Sequence, residues 1–206
     1  MSRIWMAAAC LALMSLGRPA SAQSSEQGWV ARFVWSPNYC ARTRDSRELQ
    51  CRRQNGFLLD DLARVTDGNL ADDCRQGGAL SDDLFERILQ VTQNRVHSQL
   101  IWRRQGRCSG LSEADFASYV GHVDRRMSWP TGFQPGAPEL VSTPREIVAS
   151  LTAENPGLPE TALVLHCKRQ FLQAVSVCLD GSFGYAADRC PLDSNCGDTI
   201  RLQASR

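Results

Sequence analysis

Leu100-Ile101-Trp102-Arg103-Arg104-Gln105-Gly106-Arg107-Cys108 is the stretch on which the reading of this chain turns. Its apolar head continues a helical pattern that begins upstream. Ser81 is placed to cap a helix with Asp82, Asp83 and Glu86 in its first turns. Leu84, Phe85, Ile88, Leu89 and Val96 give that helix an apolar stripe. The same helix, or one that follows it, carries Leu100 to Arg104. Arg103, Arg104 and Arg107 then fall near a helix end, where cations favour the dipole. Downstream, Ser112-x-x-Asp115 starts another helix, with Phe116, Tyr119, Val120 and Val123 facing inward. Between the helices stand Trp102, Gly106 and Cys108 in a W-x-x-x-G-x-C spacing.

Further out, the chain alternates between strand and helix signals. Trp29 to Trp35 (W-V-A-R-F-V-W) is rich in aromatic and β-branched residues and reads as a strand ended by Ser36-Pro37-Asn38. Residues 41–53 are Arg-rich and polar, a loop flanked by Cys40 and Cys51 and interrupted by Asp45 and Glu48. Residues 56–62 form a short apolar run, a strand or a buried turn, and Asp67-Gly68-Asn69 is a turn signal. Residues 129–142 hold three prolines and two glycines and read as a long irregular connection. Thr143-Pro144-Arg145-Glu146 is a capping box with Pro at the first helical position, and that helix stops before Asn155-Pro156. Strands follow near 162–167 and 171–179, and a last short one near 199–202. Strands joined by hairpins and interleaved with helices point to an α+β domain with an antiparallel sheet.

The first 22 residues read as a secretory signal. Arg3 opens it, Met6 to Leu16 is its apolar run, and Ala20-Ser21-Ala22 is its cleavage site, with Gln23 as the first mature residue. The run is shorter than the ~20 residues a membrane span needs. Residues 23–206 are then one exported domain, secreted or periplasmic. Loss of Arg3 and Arg18 leaves 21 basic against 22 acidic residues, a net charge of −1. Such a chain is not a general polyanion binder, so a nucleic-acid site must be a local patch. Lys168 is the single lysine, so arginine carries nearly all the positive charge. Of nine cysteines Cys10 leaves with the signal, and the even remainder reads as disulfides, with about a hundred pairings open. No C-x-x-C pair is present and His97, His122 and His166 are scattered, so neither a metal nor a cofactor is implied.

Residues 100–108 resemble the second active-site motif of the ribonuclease T2 family, H-E-W-x-K-H-G-T-C. Trp102, Gly106 and Cys108 match in register, while Ile101 stands for the glutamate, Arg104 for the lysine and Gln105 for the histidine. Trp35-Ser36-Pro37-Asn38-Tyr39-Cys40 is similar to the family's W-x-P-x-x-C. Phe57 to Arg64 falls where the family has F-x-x-H-G-L-W-P. Phe57 and Leu62 persist there, Asp60 replaces the first catalytic histidine, Asp61 the glycine, Ala63 the tryptophan and Arg64 the proline. Asp67-Gly68 followed by Cys74, Leu165-His166-Cys167 and Val177-Cys178-Leu179-Asp180 complete the resemblance over nearly the whole mature chain. It implies a T2-like fold and the bridges Cys40–Cys51, Cys74–Cys108, Cys167–Cys196 and Cys178–Cys190.

The family's chemistry needs a base for the 2′-hydroxyl proton, an acid for the leaving 5′-oxygen and a cation for the phosphoryl charge. Histidine suits both proton transfers because it titrates near neutrality. Gln105 does neither, and Ile101 has no polar atom. Arg104 retains the capacity to hold a phosphate bidentately. The expectation is a T2-like protein without catalysis, binding single-stranded RNA, a nucleotide or a protein partner through the remnant cleft. Trp35 and Tyr39 are candidates to stack a base there. The rival reading is an active endoribonuclease forming a 2′,3′-cyclic phosphate, with Asp60 as base and a relocated histidine such as His97. Plainer roles stand beside these: Asp60 and Asp61 as a solvated turn, Trp102 as core and His97 as a surface residue.

Overall fold

The computed structural model describes residues 28–43, 47–71, 74, 78–186 and 190–205. The expected signal segment, its cleavage after Ala22 and Asp45 of the polar loop lie outside the described residues. The first element is β1 (Gly28–Trp35), seven of whose eight residues are buried. At Ser36 the strand gives way to α1 (Ser36–Arg42), because Pro37 in its first turn brings a helical φ and no amide hydrogen to miss. A short helix, α2 (Leu49–Arg52), follows and the Cys40–Cys51 bridge ties the two together. The polar stretch 41–53 is therefore not wholly a loop, since the bridge holds a helical turn that its polar sequence does not announce.

The chain then enters β2 (Phe57–Thr66), turns through Asp67 and Gly68, both at positive φ, and pairs back briefly as β3 (Asn69–Leu70). Three helices follow: α3 (Asp82–Thr92), α4 (Arg95–Arg104) and α5 (Glu113–Arg126). Ser112 caps α5 as its sequence promises, its side chain accepting from Asp115 N–H. Ser81 occupies the cap position of α3 without a side-chain bond. The connection after α5 contains one strand the sequence did not show, β4 (Leu140–Ser142). Then come α6 (Pro144–Glu154) behind its complete capping box at Thr143 and Glu146, β5 (Leu163–Lys168), β6 (Phe171–Asp180) and β7 (Ile200–Leu202).

The described strands form one seven-stranded sheet in the order β3-β2-β1-β6-β7-β4, with β5 on β6. Every ladder is antiparallel except the single β6–β7 register at Phe171 and Arg201, so the expected antiparallel sheet is mixed at one corner. The core lies between the sheet and the helices. Phe33, Trp35, Leu59 and Leu62 come from the sheet, and Ile88, Ile101, Phe116 and Val120 from α3, α4 and α5. Burial of each such side chain contributes ~1.5–3 kcal/mol. Gly106 is required by this packing: a Cβ there would overlap the Trp102 ring. Disulfides join Cys40 to Cys51, Cys74 to Cys108, Cys167 to Cys196 and Cys178 to Cys190, the pairs that the resemblance implies. Among the described residues no helix is long and apolar enough to cross a membrane.

Candidate functional site

Two bulges decide which polar side chains meet on the sheet. Between β1 and β2 the register steps from Phe33↔Leu59 to Arg32↔Asp61, leaving Asp60 as an extra residue on β2. Between β5 and β6 it steps from His166↔Ala174 to Cys167↔Leu172, leaving Gln173 extra on β6. An extra residue breaks the two-residue alternation and re-aims a side chain. Thus Leu59 and Leu62 both reach the core while Asp60, between them, meets Arg32.

That meeting is a two-pronged ion pair. Arg32 Nε donates to Asp60 Oδ1 at 3.0 Å and Nη2 to Oδ2 at 2.6 Å. The Asp60 side chain is 3% exposed and that of Arg32 47%, so Arg32 lids the carboxylate and keeps a solvent-facing edge. Burial lowers the guanidinium pKa, but the hydrogen bond and charge of Asp60 outweigh it and leave the group above its ordinary value. Beside the pair, burial and the Asp60 charge raise the Asp61 carboxyl, against Arg32 and Arg104.

Two histidines flank the pair. His97 lies in the first turn of α4, which Asn94 caps by accepting from Val96 N–H and His97 N–H. Its ring meets Tyr39 edge-on at 5.4 Å, and its Nδ1 is buried without a hydrogen-bond partner. Burial lowers its pKa, opposed by Asp60 and Glu48 and aided by Arg32. The expectation of a surface histidine gives way here, because α4 packs along β2. On the other side His166 Nε2 shares a 2.8 Å hydrogen bond with Ser176 Oγ. Burial and Arg32 hold its pKa down as well.

At the motif positions the side chains are otherwise engaged. Ile101 is fully buried. Trp102 packs on Phe116 and donates from Nε1 to the Gly78 carbonyl, a core role. Gln105, 7% exposed, accepts from Arg64 N–H through Oε1 at 3.1 Å, satisfying a backbone donor of β2. Arg104 sits exposed in the last turn of α4, and its carbonyl accepts from Cys74 N–H beside the Cys74–Cys108 bridge. Asp60 and Asp61 are strand residues, not a solvated turn, because the hydrophobic run continues through them to Val65. Trp35, expected to stack a base, is fully buried against Phe57 with its indole N–H on the Gln203 carbonyl, and has no face to offer. Tyr39 keeps a partly exposed ring, with its hydroxyl accepting from Asn94.

The structure thus brings Asp60, Asp61, His97 and Arg104 to one region and adds Arg32, His166 and Ser176. Sequence reasoning missed these three. The signal for Arg32 was available as the one charge inside W-V-A-R-F-V-W, and for His166 as the polar break in L-V-L-H-C. Among the described residues no group of three or more His, Cys, Asp or Glu side chains is arranged to hold a metal.

Comparison with known proteins gives the fold a context. No protein-family profile matches the chain. A protein called Ribonuclease, from Aeromonas hydrophila, is 26% identical over 102 residues, half of this chain and 46% of that relative. The chain is therefore matched over less than half of that relative's length. Among solved structures, an RNase-related protein from Calystegia sepium superimposes with a TM-score of 0.67 at 13% identity, over 88% of this chain and 99% of the other. RNase MC1 from bitter gourd seeds gives 0.63 at 14% identity, over 84% and 98%. Actibind, a T2 ribonuclease, gives 0.62 at 12% identity, over 88% and 89%. Variants of RNase MC1 have been solved with 5′-GMP and with 5′-UMP.

Proposed function

With a ribonuclease T2-like fold as premise, we propose that this protein is an exported binder of single-stranded RNA or nucleotides that lacks the family's cleavage chemistry. The carrying observation is the state of the two histidine positions. Both oxygens of Asp60 are held by Arg32, and the side-chain oxygen of Gln105 is held by the Arg64 amide. A carboxylate clamped by a guanidinium is a poor base for a ribose hydroxyl. An amide neither accepts nor releases the leaving-group proton. Losing general acid–base help costs ~10²–10⁴-fold per group, so the loss of both removes meaningful turnover.

What remains suits binding. The exposed edge of Arg32 offers further N–H donors for a phosphate, and Arg104 adds a second guanidinium above Asp61. His97 and His166 become cations on acidification. Nucleotide complexes of RNase MC1 support a nucleotide ligand for this fold. Four disulfides and the N-terminal signal pattern support an oxidising, extracytoplasmic address.

The test is fluorescence anisotropy of the mature protein with a labelled single-stranded RNA, followed over hours from acid to neutral pH. A stable rise that weakens with salt is expected. A progressive fall below the starting value, absent without protein, means cleavage and overturns the inactive reading. No rise at any pH overturns the RNA reading.

A further inference from the structure

A second polar region lies at the far end of β6. The β5–β6 hairpin turns through Arg169 and Gln170, with Lys168 paired to Phe171. Beside it a groove of about 320 Å³ is lined by Arg42 from α1, Lys168 and Arg169 from the hairpin, and Phe171 and Gln173 from β6. None of its described lining residues is acidic. In a mature chain of net charge −1 this is a local concentration of cations, three of them around one opening. Asn38 builds the wall: its amide donates to the Leu172 and Arg201 carbonyls and its oxygen accepts from Gln203 N–H.

Two features make it more than a solvated basic face. Arg169 adopts φ 57°, where glycine or asparagine is cheaper, so a guanidinium is kept at the hairpin tip against local preference. The Gln173 side chain is the second. The β6 bulge turns it into the groove, its Nε2 donates to the Phe171 carbonyl at 3.2 Å, and its Oε1 is buried with no hydrogen-bond partner. A buried acceptor without a donor is costly. A ligand that brings both negative charge and a donor satisfies the groove completely.

We propose that this groove is a second RNA subsite, resting on the RNA-binding reading above and extending it. A phosphodiester sits among Arg42, Lys168 and Arg169, a ribose 2′-hydroxyl donates to Gln173 Oε1, and a base lies against the half-exposed Phe171 ring. Gln173 is three residues from Ser176, about 10 Å along β6. A single strand therefore runs from the Arg32 cluster to the hairpin, and binding strengthens with length until both regions are filled.

The experiment compares the intact mature protein with Lys168→Gln/Arg169→Gly and with Gln173→Leu, titrating labelled single-stranded RNA and DNA of one sequence across salt. Glycine keeps the positive φ, and both basic residues are exposed, so the double variant folds; its melting curve verifies this. The salt slope should become shallower by about 1.4, at about 0.7 per lost phosphate contact. A mononucleotide should bind both proteins alike. Gln173→Leu should remove a preference for RNA over DNA. RNA binding with an unchanged slope in the double variant overturns the subsite and leaves the cleft reading intact. Equal affinity of the wild type for RNA and DNA overturns the role of Gln173. A wild type that binds no RNA overturns both readings.

Discussion

Asp60 shows how a position keeps its place and loses its chemistry. A histidine at the β2 bulge would project beside α4 with two exchangeable protons. An aspartate there needs a counter-charge, and Arg32 on the neighbouring strand supplies it through two hydrogen bonds. The residue is then part of the fold. Arg32→Gln should destabilise by about 2–3 kcal/mol in urea denaturation, because a nearly buried carboxylate loses its partner while its solvent-facing side limits the loss. Replacing both residues by leucine should cost much less than that single change. Asp124 on α5 makes the opposite electrostatic case. Burial raises its pKa to about 6, Arg125 offsetting only part. The folded state thus holds this proton more tightly than the unfolded chain, and stability from this group is present below about pH 4 and lost as pH rises to about 6. Asp124→Asn should raise the melting temperature at pH 7 and leave it unchanged near pH 3.5.

At the scale of elements, α4 is the part on which the site depends. Its cap, Asn94, is fully buried and also donates to Tyr39 and Gln50, so one side chain links α4 to α1 and α2. The other end is fixed by Gln105 on β2 and by Cys74 on the Arg104 carbonyl. His97 and Arg104 are therefore held at both termini of one rigid helix. Asn94→Ala should cost about 2 kcal/mol or more, above the ~1 kcal/mol of an exposed cap, because buried partners are left unpaired. It should also weaken RNA binding by displacing His97. Thr143→Ala, at the exposed capping box of α6, should cost about 1 kcal/mol and leave RNA binding unchanged. Thermal melts and anisotropy on the same samples separate the two. The caps at Ser112 and Thr143 were legible because their bonds are local. The bulges at Asp60 and Gln173 were not, because a bulge is a property of two strands.

Over the whole molecule, two pH effects oppose each other. His97 and His166 both have folded pKa values below the ordinary 6.5, so the stability they represent is full above that value and is lost as pH falls through their folded values. Their protonation adds charge beside Arg32, so RNA affinity should rise over the same fall in pH, and its salt slope should steepen. A bell-shaped dependence of RNA-induced thermal stabilisation, or a flat one, would contradict this; a steady increase from pH 7.5 toward 5 is expected. The disulfides supply the reserve that tolerates the acid side. Cys74–Cys108 spans 34 residues, the widest of the four, and each bridge contributes ~2–4 kcal/mol.

What the sequence by itself determined is everything carried by short-range pattern. The strand at Trp29–Trp35, the helix starts at Ser112 and Thr143, and the resemblance at Trp102, Gly106 and Cys108 are written in neighbouring residues. So is the absence of histidine at positions 60 and 105. The tertiary structure alone decided which groups meet. Arg32 and Asp60 are 28 residues apart, His97 and Tyr39 are separated by α2 and β2, and Trp35 exchanged an expected open face for a buried one. Register, bulges and burial are set by the packing of distant segments, and a ligand site is the set of side chains that packing leaves facing one another.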